Sequence, residues 1–481
     1  MPTLLARQAP DEVAIVCAGP TVVTTLTRAE LDARANRMAR YLAAEGLGKG
    51  DILTLSLPNG ADLFVNCLAA WKVGAIPNPL SPRLPRRERD AIMKRASPRL
   101  VISVDPKDCD WPTVPVRPPD GVYSTEPLPE CVSPRERALA SGGSSGLPKL
   151  ILAKNPALYD ADSAAAIFKG RKSVLVPGPM HHGAPFSAAF QGLFCGCRVV
   201  VMHRFDAERC LQLIQEYRVD RMTVVPTMMQ RIWKLPREVR ERYDVSSLEF
   251  VMTGSAPCPE WLMRAWIDWL GADVMHEAFG PSERIGGTFI SGREWLEHPG
   301  SVGRPSGGTR LKILDDHGKE VAPGVMGEIY VMPAGGTGST FEYLGAEPKL
   351  TRDGWQSVGD MGFMDEEGYL YLGDRRSDLI LRGGSNVYPA EVEAAIDAYE
   401  GVRSSAVIGL PDEDLGDRVH AIVDVGEDAA DFDEQGLRAH LAERLVSYKL
   451  PATVELVHYP LRDDAGKLRR SALRKARTVM R

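Results

Sequence analysis

The chain has 481 residues, 44% of them hydrophobic, which is material for about two to four domains with sizeable cores. Its 58 basic and 64 acidic residues leave a formal charge of −6, a near balance that gives no footing to a nucleic-acid partner. No apolar run reaches the roughly 20 residues of a membrane-spanning helix, so no membrane span is expected.

Val13-Ala14-Ile15-Val16 reads as a strand, and Thr27 with Glu30 makes a capping box for a helix whose buried face is Leu31, Ala35, Met38 and Leu42. Ile52–Leu57 is a buried-type strand, followed by a helix from about Ala61 to Val73, an extended Asn78-Pro79, a helix near Arg86–Ala96 and a strand at Leu100–Ser103. This alternation predicts βαβ units and a parallel sheet. The proline-rich, charged segment Asp108–Pro134 reads as a connecting loop. Further strands are expected at Val174–Val176, Arg198–Met202, Met222–Val225, Phe250–Met252 and Val274–His276, with helices between them. From Gly300 to Tyr371 short alternating strands and turns predict a small barrel-like β unit. The polar run Asp374–Asp378 reads as a hinge, dividing 1–373 from an α+β domain over 379–481. The expected fold is therefore α/β: two doubly wound sheets plus the β unit, and a smaller mobile C-terminal domain.

Ser141-Gly142-Gly143-Ser144-Ser145-Gly146-Leu147-Pro148-Lys149 packs three glycines, three serines and a lysine between the apolar runs Ala138-Leu139-Ala140 and Leu150-Ile151-Leu152. A flexible linker would have polar flanks. Glycine lets backbone N–H groups turn inward on an anion, and serine hydroxyls and Lys149 add donors, so a polyphosphate is the expected ligand. The spacing is not that of a P-loop, since Leu147 and Pro148 separate Gly146 from Lys149. The expected setting is strand–loop–strand.

The loop resembles the phosphate-binding loop of the adenylate-forming superfamily of acyl-CoA synthetases, peptide-synthetase adenylation domains and luciferases. Gly143 and Leu150 depart from the family pattern. Later segments extend the resemblance. Pro179-Met180-His181-His182-Gly183 is similar to the segment whose ring gates the acyl pocket, which implies His182. Ser255-Ala256-Pro257, after Thr253-Gly254, matches the segment that lies against adenine and the acyl chain. Phe279-Gly280-Pro281-Ser282-Glu283 resembles the family's Y-G-x-T-E, with a ring kept at Phe279 and a hydroxyl at Ser282. Asp360, in Ser357-Val358-Gly359-Asp360, takes the place of the ribose-binding carboxylate, and Arg375 that of a ribose or phosphate contact. Ser377 stands at the hinge position, where Asp or Lys is usual. Gly383-Gly384-Ser385-Asn386-Val387-Tyr388-Pro389-Ala390-Glu391-Val392-Glu393 and Gly466-Lys467-Leu468-Arg469-Arg470 match the family's C-terminal motifs.

The resemblance implies an acid–thiol ligase that uses ATP, Mg²⁺ and coenzyme A. A carboxylic acid is converted to acyl-AMP and then to a thioester; a carrier protein or an amine is the alternative acceptor. Ser141, Gly142, Gly143, Ser144, Ser145, Gly146 and Lys149 would bind ATP with Ser255–Pro257, Phe279, Gly280, Ser282, Asp360 and Arg375. Glu283 and Ser144 would hold Mg²⁺, Lys467 and His182 would be catalytic, and Gly383 and Gly384 would line the coenzyme A tunnel. Phe186, Phe190, Met228, Ala256 and Ala278 would wall the acyl pocket, which implies a bulky apolar acid, either fatty or alicyclic. Eight cysteines without zinc-ligand spacing, and an N-terminus without an apolar signal core, lead to the cytoplasm as the expected compartment. Monomer and homodimer both stay open.

Overall fold

The computed structural model describes residues 1–103, 109–141, 149–159, 168, 170–373, 378–382, 385–412, 414–426, 432–463 and 466–478; for 141 and 386 only the backbone is considered. A nine-stranded sheet forms the centre. Its order is Arg304–Pro305, Thr288–Ser291, Met275–Phe279, Phe250–Gly254, Arg221–Val224, Ser173–Val176, Arg198–Met202, Val13–Ala18 and Val23–Thr27. The six strands from Met275–Phe279 to Val13–Ala18 pair in parallel, and the edges are antiparallel. The parallel strands are near-continuous apolar runs because both faces are covered by helices.

On one face, the helices Arg28–Ala44, Ala61–Lys72 and Gly183–Phe194 share a core with Val174, Val176, Val199 and Val201. On the other, Ala207–Tyr217, Pro226–Trp233 and Glu260–Leu270 cover Val200, Met222, Val224 and Val251. The capping box forms: Thr27 Oγ1 accepts from the Glu30 N–H at 3.2 Å, and Glu30 Oε2 accepts from the Thr27 N–H at 2.9 Å. All four residues of the expected face, Leu31, Ala35, Met38 and Leu42, are buried.

The second layer has two parts. Ile76–Pro79, Ile52–Ser56 and Leu100–Ser103 form a parallel three-stranded sheet, and Phe341–Leu344, Lys149–Ala153 and Ala138–Ser141 an antiparallel one. Ser141 pairs with Lys149, so the glycine–serine loop joins the two strands of a hairpin. The expected β unit is a five-stranded antiparallel sheet in which Gln356–Met364 pairs with three other strands. Its core takes in Ile151 from the hairpin and Ile285 from the segment after Glu283. A separate five-stranded sheet is drawn entirely from residues 380–457. It carries its own apolar clusters, and among the described residues no apolar cluster spans both sides of residue 378.

Candidate active site

A large cleft runs between the C-terminal ends of the central strands and the C-terminal sheet. In parallel α/β sheets this end collects loops that side chains and ligands can reach. Thr253–Pro257, Ala278–Glu283, Asp360 and Lys467 all line it. Strand Met275–Phe279 runs further than expected and carries Phe279 to the rim. Ser255 and Arg284 hold left-handed backbone (φ 68° and 53°), a conformation that costs energy for non-glycine residues and concentrates at functional sites.

Glu283 is buried and accepts a hydrogen bond from the Tyr343 hydroxyl at 2.5 Å. The Lys149 ammonium lies 4.9 Å from the centre of the Tyr343 ring. Tyr343 sits on the strand that pairs with Lys149–Ala153, so the hairpin and the carboxylate are tied through one ring. Asp360 owes its direction to a bulge. Between the pairs Glu328–Met361 and Tyr330–Ser357, one residue faces three, with Gly359 at φ 87° among them. Ser357 Oγ donates to the buried Glu328 at 2.6 Å and accepts from the Gly359 N–H at 2.9 Å, which fixes the bulge.

His182 caps the backbone of the helix Gly183–Phe194, with its ring 4.5 Å from that of His181. Burial, followed by the charges of His181, Lys467 and Arg469, holds the His182 imidazole well below its usual range. His181 is pushed down to about 4, again chiefly by burial. Both rings are neutral at pH 7. Asn59 fastens this loop: its amide donates to the carbonyls of Gly178 and Met202 (2.9 and 3.0 Å) and accepts from the Met180 N–H at 2.8 Å.

The acyl end differs from the expectation. Met228, Ala256 and Ala278 line the cleft, but Phe186 and Phe190 do not. Their rings, 4.6 Å apart, turn the other way into a core with Trp71, Phe64 and Phe194. The helix presents Ala184 and Ser187 to the cleft in their place. Four further side chains were missed: Arg137, Ser187, Glu277 and Arg284, all on the cleft wall. Burial raises the Glu277 carboxyl to about 8, against the lowering effect of the Cys258 backbone hydrogen bond.

Lys467 follows Gly466 at the tip of a hairpin closed by Asp463, whose N–H donates to the Lys467 carbonyl at 3.0 Å. The hairpin's arms are held by one buried carboxylate. Glu393 accepts from Arg462 at 3.0 Å and from Arg470 at 2.8 Å, as well as from the Val407 N–H. The second glutamate of the Pro389–Glu393 segment thus aims the lysine. The C-terminal unit meets the rest through polar contacts. Gln230 and Lys234 donate to the Asp397 carbonyl at 3.4 Å, Lys234 also donates to Val402, and Arg469 pairs with Glu88 at 2.9 Å. Gly142, Gly143, Ser144, Ser145, Gly146, Arg375, Ser377, Gly383, Gly384 and the Ser141 side chain lie outside what the structure describes.

The family profile described as AMP-binding enzyme matches residues 5–338, well over half the chain. The chain belongs to the AMP-binding enzyme family. The family's C-terminal domain matches residues 391–462 of this AMP-binding enzyme. It is 31% identical to the long-chain-fatty-acid–CoA ligase FadD13 of Mycobacterium tuberculosis, over 95% of this chain and 94% of that one. It is 29% identical to the fatty acid–[acyl-carrier-protein] ligase ScoC of Streptomyces coeruleorubidus, over 98% and 94%. The solved structure of o-succinylbenzoate CoA synthetase (MenE) from Bacillus subtilis, in complex with its acyl-adenylate intermediate, superposes with a TM-score of 0.81 at 25% identity, covering 98% of this chain and 97% of that one. The AMP-binding enzyme described here is thus an adenylate-forming enzyme.

Proposed function

We propose that this enzyme is an AMP-forming carboxylic acid–CoA ligase whose adenylating arrangement is the one seen here. The observation that carries the reading is the Lys467 hairpin standing over the same cleft that Glu283, Asp360 and the hairpin of Lys149 enter. In the first step a carboxylate oxygen bonds to the α-phosphorus of ATP, the bond to the β-phosphate breaks and pyrophosphate leaves. No protein nucleophile is needed. In-line placement and compensation of the growing phosphate charge are, and Lys467 and the Ser141–Lys149 loop are suited to both. Neutral His182 would gate the acyl chain, and Asp360 and Arg375 would hold the ribose.

Glu283 is a hard oxygen donor with no cluster of three or more His, Cys, Asp or Glu side chains about it among the described residues. That suits Mg²⁺ shared between one carboxylate and phosphate oxygens better than a metal held by protein alone, and Ser144 would join it. When bound, the ion offsets phosphate charge.

In the second step the coenzyme A sulfur bonds to the acyl carbon, the bond to AMP breaks, and the thiol proton goes to solvent. We assign residues 1–373 to the adenylating body, 374–378 to the hinge with Ser377, and 379–481 to a mobile domain. Its reorientation withdraws Lys467 and brings Gly383 and Gly384 to the thiol. Met228, Ala184, Ala256 and Ala278 offer the acid an apolar wall. Transfer to a carrier protein is the second reading, favoured by the similarity to ScoC. No helix among the described residues is long and apolar enough to cross a membrane, and eight free cysteines fit the reducing cytoplasm. Pyrophosphate release across a panel of acids, then product mass with coenzyme A, tests the reading. Pyrophosphate without a coenzyme A thioester would move the assignment to the carrier-protein or amine acceptor.

A further inference from the structure

Two guanidinium groups meet at the acyl end of the cleft. Arg137 Nη1 and Arg284 Nη2 donate to the same acceptor, Ser187 Oγ, at 2.9 and 2.7 Å. Both arginines and the serine line the cleft. One carboxylate serves both cations: Glu136 lies 2.5 Å from Arg284 and 3.5 Å from Arg137. The local charge is therefore one positive unit in excess.

Arg137 is poorly placed for a cation that stands alone. Its side chain is only 4% exposed. Its Nη2 lies 3.8 Å from where a β-carbon on Gly183 would stand, against the first turn of the helix Gly183–Phe194. The helix dipole puts partial positive charge there. Burial and the charge of Arg284 bring the guanidinium down to about 9, against the opposing effect of Glu136. Ser187 is its one hydrogen-bond acceptor among the described residues, and Glu136, at 3.5 Å, is its ion-pair partner.

Arg221 shows what a purely structural buried guanidinium looks like in this molecule. It is sandwiched 4.2 Å from the centres of the Phe168 and Phe250 rings, away from the cleft. Arg137 instead has one ring beneath it, Phe186 at 5.1 Å, and the cleft on its open side. A buried cation facing a cavity, beside a second cation and a helix N-terminus, is a site that an anion completes.

Arg137 stands at the opposite end of its strand from the phosphate loop. Arg137 precedes the strand Ala138–Ser141, which leads to the phosphate loop. Four strand steps lead from Arg137 to Ser141, about 13 Å at the rise of a strand. Of the other anions in the reaction, the acid is the one whose apolar wall, Met228, Ala184 and Ala278, shares the cleft with this pair.

We propose that Arg137 and Arg284 form an anion-reading subsite, and that the acid activated here carries a second anionic group remote from the carboxylate that reacts. The inference rests on the ligase reading above and narrows its substrate class from an apolar acid to one with an apolar body and a charged far end. Met228, Ala184 and Ala278 would contact the body, and the guanidinium pair the far end. A charge-assisted contact of this kind discriminates by roughly 10- to 100-fold.

The test uses dicarboxylic acids of graded length, aliphatic and aromatic, each paired with its own monomethyl ester, and reads pyrophosphate release by the full-length enzyme. The expected result is a kcat/KM ratio of diacid to monoester above about tenfold for the best-fitting pair. Arg284→Gln should bring that ratio towards one, chiefly through KM, and Arg284→Lys should restore part of it. Arg137→Gln should do the same, and its circular dichroism and melting curve report whether it folds. A wild-type ratio at or below one, or Arg284 variants that slow diacid and monoester equally, would overturn the proposal while leaving the ligase intact. Release with no acid in either set would count instead against the ligase reading.

Discussion

The cleft wall that comes from residues up to 373 is aimed by strand ends and left-handed backbone, whereas the wall from the C-terminal unit carries a row of long cationic side chains. On the first, strand ends with the left-handed Ser255 and Arg284 are continuous with the central sheet, and the Gly359 bulge belongs to the five-stranded antiparallel sheet beside it. On the second, Lys467, Arg469, Arg470 and Arg474 reach in from a hairpin and helix held by carboxylates. The apolar clusters stop at the boundary, and hydrogen bonds and an ion pair cross it. Such an interface parts without exposing a large apolar surface. The difference teaches which wall is suited to leave and which to stay.

The largest effect should come from the C-terminal wall, the one proposed to move. Lys467→Ala should lower adenylation by about 100- to 1000-fold, the cost of one preorganised charge contact. Thioester formation from supplied acyl-AMP should survive, as separate half-reaction assays would show. Equal loss of both steps would erase the distinction between the walls. Gly384→Trp should act in the opposite sense, slowing thioester formation by about tenfold or more through overpacking while sparing pyrophosphate release. If pyrophosphate release fell as far, the glycine would belong to the fold and not to the thiol path.

The wall that stays can be probed by pH. Glu277 has its carboxyl raised to about 8 by burial, so the folded chain holds a proton that the unfolded chain gives up near pH 4.5. Stability from this group is therefore present below pH 4.5 and lost as pH rises to 8, with a slope of up to about 1.4 kcal/mol per pH unit. Denaturant midpoints between pH 5 and 8 should show that slope, and Glu277→Gln should flatten it. An unchanged slope in the variant would place the titration elsewhere. The smallest effect is expected at the boundary. Lys234→Ala leaves the carbonyls of Asp397 and Val402 without that donor, at a cost of about 1 kcal/mol to docking. The ratio of adenylation to thioester formation should fall about fivefold. A constant ratio would show that this contact is equal in both arrangements.

Much of the frame was legible because local signals agreed. The helix Arg86–Ala96, the strand Leu100–Ser103 and the Thr27–Glu30 box are where sequence pattern puts them, and the apolar flanks of the glycine–serine loop gave its hairpin. The acyl wall was not, because 183–194 is apolar apart from Ser187 and Gln191, too few polar marks for periodicity to say which face turned inward. Ser187, three residues after Ala184, was the available sign. Arg137 was illegible for another reason: a charged residue between Glu136 and a strand reads as solvent-exposed, and only tertiary packing buries it. Tyr343 is far in sequence from Glu283, and nothing local pairs them.

The close approach of one glycine to the other side of the boundary has a thermodynamic consequence. A β-carbon on Gly466 would stand 2.6 Å from Thr227 Oγ1, a side chain across the boundary. The glycine's φ of 74° strains an alanine wherever the hairpin goes, but the collision with Thr227 exists only while the hairpin is docked. A substitution here therefore acts as a weight on one side of a two-state equilibrium. A clash of about 1–2 kcal/mol would move the docked-to-undocked ratio by roughly 5- to 30-fold without touching the chemistry of either step. Thr227→Ala in the same chain should return the population towards its starting value. If the C-terminal unit moves as proposed, the close approach of Gly466 to Thr227 would bear on how much of the time the molecule can adenylate.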